Sequence, residues 1–172
     1  MRSIRRALVL LLTVPSLHLS VTEAASARDD YPWRLSSGAS ADAFGFTTRQ
    51  CVSFVAWRLA QRGTPIDNRQ GWGDARGWDE AAARLGHAVG RRPVVGAVAH
   101  WNAFERGPVH TGGSRLRGTM RAGAYGHVAW VQHVHTDGSA TVAQYNGTGT
   151  RTFSTARVKA PRYLYVGVQA PG

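Results

Sequence analysis

Apolar residues surround almost the whole circumference of one predicted helix, which begins near residue 48 and ends at Gln61 or Arg62. Thr47 and Gln50 have the spacing of a capping box at its start, and Gly63 stands where helices commonly end. A helix that is apolar nearly all round is buried in the centre of a domain. The apolar residues of this helix are Val52, Phe54, Val55, Ala56, Trp57, Leu59 and Ala60.

One further helix and then a series of strands follow along the chain. The second helix is predicted from Asp74 or Trp78 to Leu85, and residues 102–125 have the composition of a long surface loop at the rim of a cleft. Helices that come first and antiparallel strands that follow predict an α+β fold rather than a parallel sheet. The predicted strands are 93–101, 126–135, 140–145, 151–155 and 162–166, with a hairpin turn at 136–138.

The first 27 residues have the pattern of a secretory signal peptide. Arginines precede a short apolar run at 7–14, and the small residues Ala25 and Ala27 provide a cleavage site. The run is much shorter than the roughly 20 residues that a membrane-spanning helix needs. An ordinary N-terminal helix is the alternative interpretation. We therefore expect a leader at 1–27 and one secreted domain at 28–172, outside the cell or associated with the cell wall.

The chain is strongly basic, with a net charge of +11, and Lys159 is its only lysine. Without residues 1–27, 18 basic and 9 acidic residues would leave a charge of +9. Such a charge favours a polyanionic neighbour, either nucleic acid, a membrane surface or an anionic cell wall. Six tryptophans and the arginines of the long loop also suit a non-catalytic binding module, although no nucleic-acid-binding motif is present. Those arginines are Arg106, Arg115, Arg117 and Arg121.

Cys51 is the only cysteine, which is unusual in a secreted domain, where cysteines commonly pair. It is either a buried thiol, an intermolecular crosslink or a reactive nucleophile. The prediction places it in the first turn of the central helix, where the helix dipole and unpaired N–H groups favour a thiolate. The same N–H groups stabilise an oxyanion, so this position favours the nucleophile.

A catalytic cysteine commonly has a histidine partner, and His127 is the best candidate among the histidines of the secreted domain. Gly126 before it permits close approach of another backbone, and the apolar residues after it place it on a rigid strand. A third residue should orient the imidazole. Counting outward from the hairpin turn puts Asn146 opposite Ala129, and Gln144 and Asn146 share the face of His127. Both amides are able to accept the imidazole proton, although Asn146 also suits a simple turn.

These segments together resemble the CHAP domain, the cysteine, histidine-dependent amidohydrolase/peptidase of the papain-like group. The resemblance covers roughly 31–166, and its specificity lies in the order of the segments rather than in any one of them. The matching segments are 46–57, Trp78 with the alanine-rich helix after it, 93–101, 126–131 and 142–146.

The resemblance implies a papain-like fold in which Cys51 is the nucleophile and His127 the base. It also implies hydrolysis of an amide bond in peptidoglycan, by an N-acetylmuramoyl-L-alanine amidase or a peptide-bridge endopeptidase, without a cofactor. The backbone N–H of Cys51 and the side chain of Gln50 would hold the oxyanion. Many members have a glutamate in place of Gln144, so Asn146 is the preferred orienting residue here. Some members bind calcium through aspartates before the cysteine, but only Asp42 lies close, and we expect no calcium site.

Zinc catalysis is a further alternative, because wall amidases also use zinc and three histidines of one predicted strand would point to the same face. They are His127, His133 and His135. Along a straight strand, His127 would lie roughly 20 Å from His133 at about 3.3 Å per residue, so His127, His133 and His135 would not share one ion. We therefore expect no metal. A non-catalytic wall-binding module with a degenerate site is the main alternative to the hydrolase.

Overall fold

The computed structural model describes residues 28–109 and 118–172 as helices packed on an antiparallel sheet, which confirms the α+β prediction. The predicted leader lies outside the described residues. The helices are α1 (Cys51–Gln61) and α2 (Trp78–Arg84), with 3₁₀ turns at Asn68–Gln70 and Ala75–Gly77. The strands are β1 (Val89–Gly90), β2 (Val98–Trp101), β3 (Arg106–Pro108), β4 (Thr119–Arg121), β5 (His127–Val134), β6 (Ala140–Tyr145), β7 (Phe153–Val158) and β8 (Arg162–Leu164).

The main sheet has six strands in the order β1-β8-β2-β5-β6-β7, with antiparallel neighbours throughout. β3 and β4 form a separate antiparallel pair, so the predicted loop 102–125 contains a short ladder that its glycine-rich composition concealed. The predicted strand 93–101 is shorter than expected, because Gly96 has φ +84° and β2 begins only at Val98. Across the two described ranges, no helix is long and apolar enough to cross a membrane.

Helix α1 is buried as predicted, and it packs on the face of the sheet that carries Val98, Val128 and Trp130. Because the helix buries apolar side chains on most sides, its place is fixed by the hydrophobic effect rather than by helix propensity. The opposite face of the sheet has its own apolar cluster, which includes Trp101 and Tyr163. The sheet is therefore covered on both faces, and α1 lies at the centre of one of them.

Helix α1 begins three residues later than predicted, at Cys51, and the expected capping box does not form. Arg49 has φ +60° and Gln50 is extended, so neither residue continues the helix. The Arg49 backbone N–H donates to the Tyr31 hydroxyl at 3.2 Å, and its guanidinium donates to the Ser36 carbonyl at 3.1 Å. Long-range contacts thus override the local capping pattern. Cys51 becomes the first residue of the helix, with its own N–H unpaired within the helix.

A buried polar chain ties the segment before α1 to the helix itself. The Ser53 hydroxyl donates to the Asp42 carboxylate and contacts the hydroxyl of the fully buried Tyr31. The other Asp42 oxygen accepts from the backbone N–H groups of Phe44 at 2.8 Å and Phe46 at 2.9 Å. Both carboxylate oxygens of Asp42 therefore accept hydrogen bonds within the fold. One of the donors is Ser53, which lies two residues after Cys51 on α1.

The register of β5 with β6 differs from the count made outward from the turn. Trp130 pairs with Ala143, and a bulge between Val131 and His133 shifts the ladder. Extending the ladder by one pair puts Gln144, not Asn146, opposite Ala129. The turn and the bulge each displace the count by one residue, so the predicted register is wrong by two while the predicted face is preserved.

Replacing Ser53 with alanine should lower the free energy of unfolding by about 1–3 kcal/mol, because Asp42 and Tyr31 would lose a buried hydrogen-bond partner. Urea unfolding followed by tryptophan fluorescence measures the change. The exposed Ser37 provides the control, since Ser37→Ala should change stability by less than about 0.5 kcal/mol. Equal stability of the two variants would contradict the importance of the buried chain.

Candidate active site

The start of α1 and the start of β5 meet at a cleft of about 790 Å³. Cys51 comes from the helix and His127 from the strand, and both line the cleft. The walls also include Gln50, Asn146 and Asp74, which lies immediately before the 3₁₀ turn Ala75–Gly77. The structure thus brings together the candidate residues that the sequence placed far apart.

The thiol of Cys51 is free and nearly buried, with 9% of the residue exposed. Burial raises its pKa above the usual value, while hydrogen bonds from backbone N–H groups, foremost that of Val128, lower it. The negative charge of Asp74 adds a smaller upward effect on the pKa. Burial dominates, so the thiol is protonated at neutral pH in the free protein. The hydrogen bond from Val128 also places the sulfur beside the residue that follows His127.

Gly126 permits the close approach of two chain segments just before His127, as the sequence predicted. Its φ is +73°, and a Cβ there would lie 2.5 Å from the Arg76 nitrogen and 2.7 Å from the Trp101 carbonyl oxygen. The Arg76 N–H donates to the Tyr125 carbonyl at 2.8 Å across this contact. A side chain at position 126 would therefore force the wall that carries Asp74 away from β5.

Gln144 holds the imidazole of His127. The His127 Nε2–H donates to Gln144 Oε1 at 2.8 Å, and Gln144 Nε2 donates to the Ser154 hydroxyl at 3.3 Å. Because the amide oxygen of Gln144 can only accept, the proton of the neutral imidazole lies on Nε2 and Nδ1 keeps its lone pair. Burial lowers the pKa of His127 to about 4, with the Gln144 hydrogen bond opposing and His100 adding to the effect.

Among the described residues, the hydrogen-bond partner of His127 is Gln144 and not Asn146, the orienting residue preferred from the sequence. Its Nδ2 donates instead to Gln50 Oε1 at 2.7 Å, and its Oδ1 accepts from the Arg151 N–H at 2.8 Å. Asn146 has φ +57°, which turns it out of the ladder after β6 ends at Tyr145. Because the Oε1 atom of Gln50 accepts this hydrogen bond, the side-chain NH₂ group of Gln50 is the part of its amide that can donate into the cleft.

Sequence reasoning did not identify two residues that fix Gln144, Ser154 on β7 and Gly147. A Cβ at Gly147 would lie 2.5 Å from Gln144 Nε2, so only glycine leaves room for the amide. The sequence Asn146-Gly147 predicts a turn, but it does not indicate that Gly147 lies against the side chain of Gln144. Ser154 carried no signal, because its role depends on the β6–β7 register.

His133 lies near the end of β5 that is far from His127, and His135 directly follows the strand. Their rings contact each other with centroids 4.7 Å apart. The His135 ring also hydrogen-bonds Thr141 at 2.9 Å. Among residues 28–109 and 118–172 no group of three or more histidine, cysteine, aspartate or glutamate side chains has the spacing of a metal site. The expected absence of zinc and calcium stays a prediction. Arg115 and Arg117 of the loop lie outside the described residues.

Comparison with known proteins gives the family. A family model of the CHAP domain matches residues 41–146, so the chain belongs to the CHAP domain family and the resemblance inferred from its sequence is confirmed. The staphylococcal secretory antigen SsaA of Staphylococcus epidermidis is 30% identical over 156 residues, which are 87% of this chain and 50% of that protein. The N-acetylmuramoyl-L-alanine amidase sle1 of Staphylococcus aureus is 29% identical over 88% of this chain and 42% of its own.

A solved structure of similar fold is a crystal structure of an N-acetylmuramoyl-L-alanine amidase from Staphylococcus aureus. Its TM-score is 0.54 at 27% sequence identity, over 73% of this chain and 33% of that one. The chain therefore spans half or less of the length of these relatives. The likeness supports the α+β fold, and the activities that the relatives' names state belong to those proteins.

The imidazole of His127 should titrate near pH 4, well below the usual value for histidine, because burial opposes its charge. NMR of the imidazole nitrogens against pH measures this pKa. Gln144→Glu should raise it by at least about one unit, since a carboxylate in hydrogen-bond contact favours the imidazolium. The exposed His133 provides an internal reference in both proteins. A His127 pKa that stays the same in Gln144→Glu would contradict the contact with residue 144.

Proposed function

We propose that this protein is a secreted peptidoglycan hydrolase that cleaves an amide bond with Cys51 as nucleophile and His127 as base. The observation that carries the proposal is the geometry of the cleft that Cys51 and His127 share. Cys51 lies at the N-terminus of a buried helix, and the imidazole that shares its cleft has its Nε2–H bound to Gln144 and its Nδ1 free. An arrangement of nucleophile, base and orienting amide suits acyl transfer.

The first step begins from a neutral pair, because burial raises the pKa of Cys51 and lowers that of His127. The thiol proton passes to His127 Nδ1 as the sulfur attacks the carbonyl carbon of the amide, and the carbonyl π electrons move to oxygen. The backbone N–H of Cys51 and the Nε2 amino group of Gln50 donate to this oxyanion. Proton transfer and attack are coupled in this scheme, so a stable thiolate is not needed beforehand.

The second half of the reaction returns the proton. His127 gives it to the leaving nitrogen, the C–N bond breaks, and a thioester with Cys51 remains. Water then attacks the thioester while His127 takes a proton from it, and the proton returns to the sulfur as the C–S bond breaks. The products are a carboxylic acid and an amine.

Asn146 is a positioning residue in this proposal rather than the residue that orients the base. Its amide holds Gln50 Oε1, and its Oδ1 is anchored on the Arg151 N–H, so the turn after β6 fixes the oxyanion donor. Gln144 takes the orienting role. As a neutral amide it sets the tautomer of His127 without adding negative charge.

The names of the relatives favour an N-acetylmuramoyl-L-alanine amide as the bond that is cut, since several of them are named as amidases for it. A peptide-bridge endopeptidase is the second possibility within the same chemistry. Residues 1–27 would direct secretion and leave 28–172 as the papain-like catalytic domain. The positive charge would favour approach to an anionic wall.

The protein and its Cys51→Ala variant should be incubated with purified peptidoglycan, and the soluble fragments identified by mass spectrometry. The intact protein alone should release fragments, and a free N-terminal alanine would identify the amidase while other new termini would identify an endopeptidase. Equal binding of both proteins to several wall types without any fragments would overturn the hydrolase. It would support instead a wall-binding module with a degenerate site.

Removing the oxyanion donor with Gln50→Ala should lower kcat by about 10²–10³-fold, because an oxyanion donor acts mainly in the transition state. Asn146→Ala should lower kcat by about 10-fold or more, since Gln50 would lose its anchor. The double variant should be no slower than Gln50→Ala, because both changes disable the same donor. Steady-state kinetics on a soluble muropeptide measures all three. Thr148→Ala, in the same wall, is the control, and additive losses would contradict the positioning role of Asn146.

A further inference from the structure

Asp74 is the only acidic side chain among the described residues that line the cleft, where Arg121 is the only arginine or lysine. It lies immediately before the 3₁₀ turn Ala75–Gly77, and its side chain is 49% exposed. In a chain with a net charge of +11, one carboxylate and one guanidinium leave the lining of the cleft that holds Cys51 without the positive charge of the rest of the molecule.

The fold holds the Asp74 wall through its backbone and makes little use of the carboxylate. The Gly77 N–H donates to the Asp74 carbonyl at 3.0 Å, and the buried His100 Nε2–H donates to the Ala75 carbonyl at 2.7 Å. The Asp74 side chain makes no capping hydrogen bond. Its ion pair with Arg76 is loose, 3.5 Å between Nη2 and Oδ2, and the Arg76 side chain is 56% exposed. Exposed ion pairs of this kind contribute little to stability.

The position of Asp74 opposes the proposed chemistry while the cleft is empty. Its charge raises the pKa of Cys51, adding to the larger effect of burial. A negative charge near a sulfur that becomes more negative during attack slows that attack. A cation bound at Asp74 would remove this penalty, so binding of such a group would assist the reaction as well as the recognition.

We propose that Asp74 binds the side-chain ammonium group of a diamino acid in the substrate peptide, and so makes the cleft selective for peptides in which that amine is free. The inference rests on the proposed function, since it names a substrate group for the same cleft. A primary ammonium fits the observation because it is a compact cation with three donors, and the exposed Arg76 holds Asp74 only through a long ion pair.

The probes are N-acetylmuramoyl-L-alanyl-D-isoglutaminyl-L-lysine and its Nε-acetyl derivative, in which the amine is neutral. We expect kcat/KM of the protein to be about 5-fold or more higher for the free amine. Asp74→Asn should remove the preference, because kcat/KM should fall for the free amine and should not fall for the acetylated probe, which gains from the loss of the uncompensated charge. Asp74→Glu, which keeps the charge, should retain a preference in the same direction.

Glu80→Gln is the matched control, because Glu80 is an exposed carboxylate on α2 outside this cleft and its loss changes the net charge equally. It should keep the full preference. Thermal melting of each variant checks that the fold is intact. An unchanged preference in Asp74→Asn, or no preference in the unsubstituted protein, would overturn the inference while leaving the hydrolase in place.

Calorimetry with the Cys51→Ala protein separates the two proposals if neither probe is hydrolysed. Failure of turnover would count against the hydrolase. The inference would still be supported if the Cys51→Ala protein bound the free-amine probe more tightly than the acetylated one and Asp74→Asn in that background removed the difference. Equal binding of the two probes would overturn it.

Discussion

Burial of α1 against the sheet is the constraint on which the rest of the site depends. The helix packs on β5 through Val128 and Trp130, so its N-terminus is fixed beside the start of that strand. Within that packing, the left-handed conformation of Arg49 and the Asp42–Ser53 contact determine that Cys51 is the first helical residue. A helix that began at residue 48, as its local sequence suggested, would carry the thiol almost a full turn further along and change the side on which it points.

The same burial sets the electrostatics of the cleft. It raises the pKa of Cys51 and lowers that of His127 to about 4, which favours two neutral groups over a thiolate and an imidazolium. A lowering from 6.5 to about 4 corresponds to roughly 3 kcal/mol for charging the imidazole. Gln144 offsets part of this through a hydrogen bond but supplies no charge. In the proposed reaction, stabilisation of the transition state by the oxyanion donors must therefore offset the free energy of charging the imidazole.

The local patterns predicted what depends on local sequence. The α+β order, the buried central helix, the β6 strand and the close approach at Gly126 all follow from periodicity or from a single glycine. The start of α1 and the partner of His127 depend on contacts made across the fold. Asn146 was preferred because Gln144 lacks the charge of the glutamate that many family members have, and the count that put Asn146 opposite Ala129 did not include the bulge in β5, which has no dependable sequence signature. Asn146 was near the site but serves Gln50 instead.

Two glycines allow close packing at this site, and the reactive side chains are positioned by that packing. At Gly126 two walls of the cleft lie so close together that a Cβ atom would not fit between them. At Gly147 the missing side chain leaves space for the amide of Gln144. Neither glycine carries a reactive group, yet each sets a distance on which a reactive group depends. Backbone hydrogen bonds likewise hold the 3₁₀ turn after Asp74, which leaves the carboxylate itself outside the fold's own hydrogen bonding. Apart from one long, exposed ion pair with Arg76, the fold makes no described use of this carboxylate, which is why we assign it to the substrate.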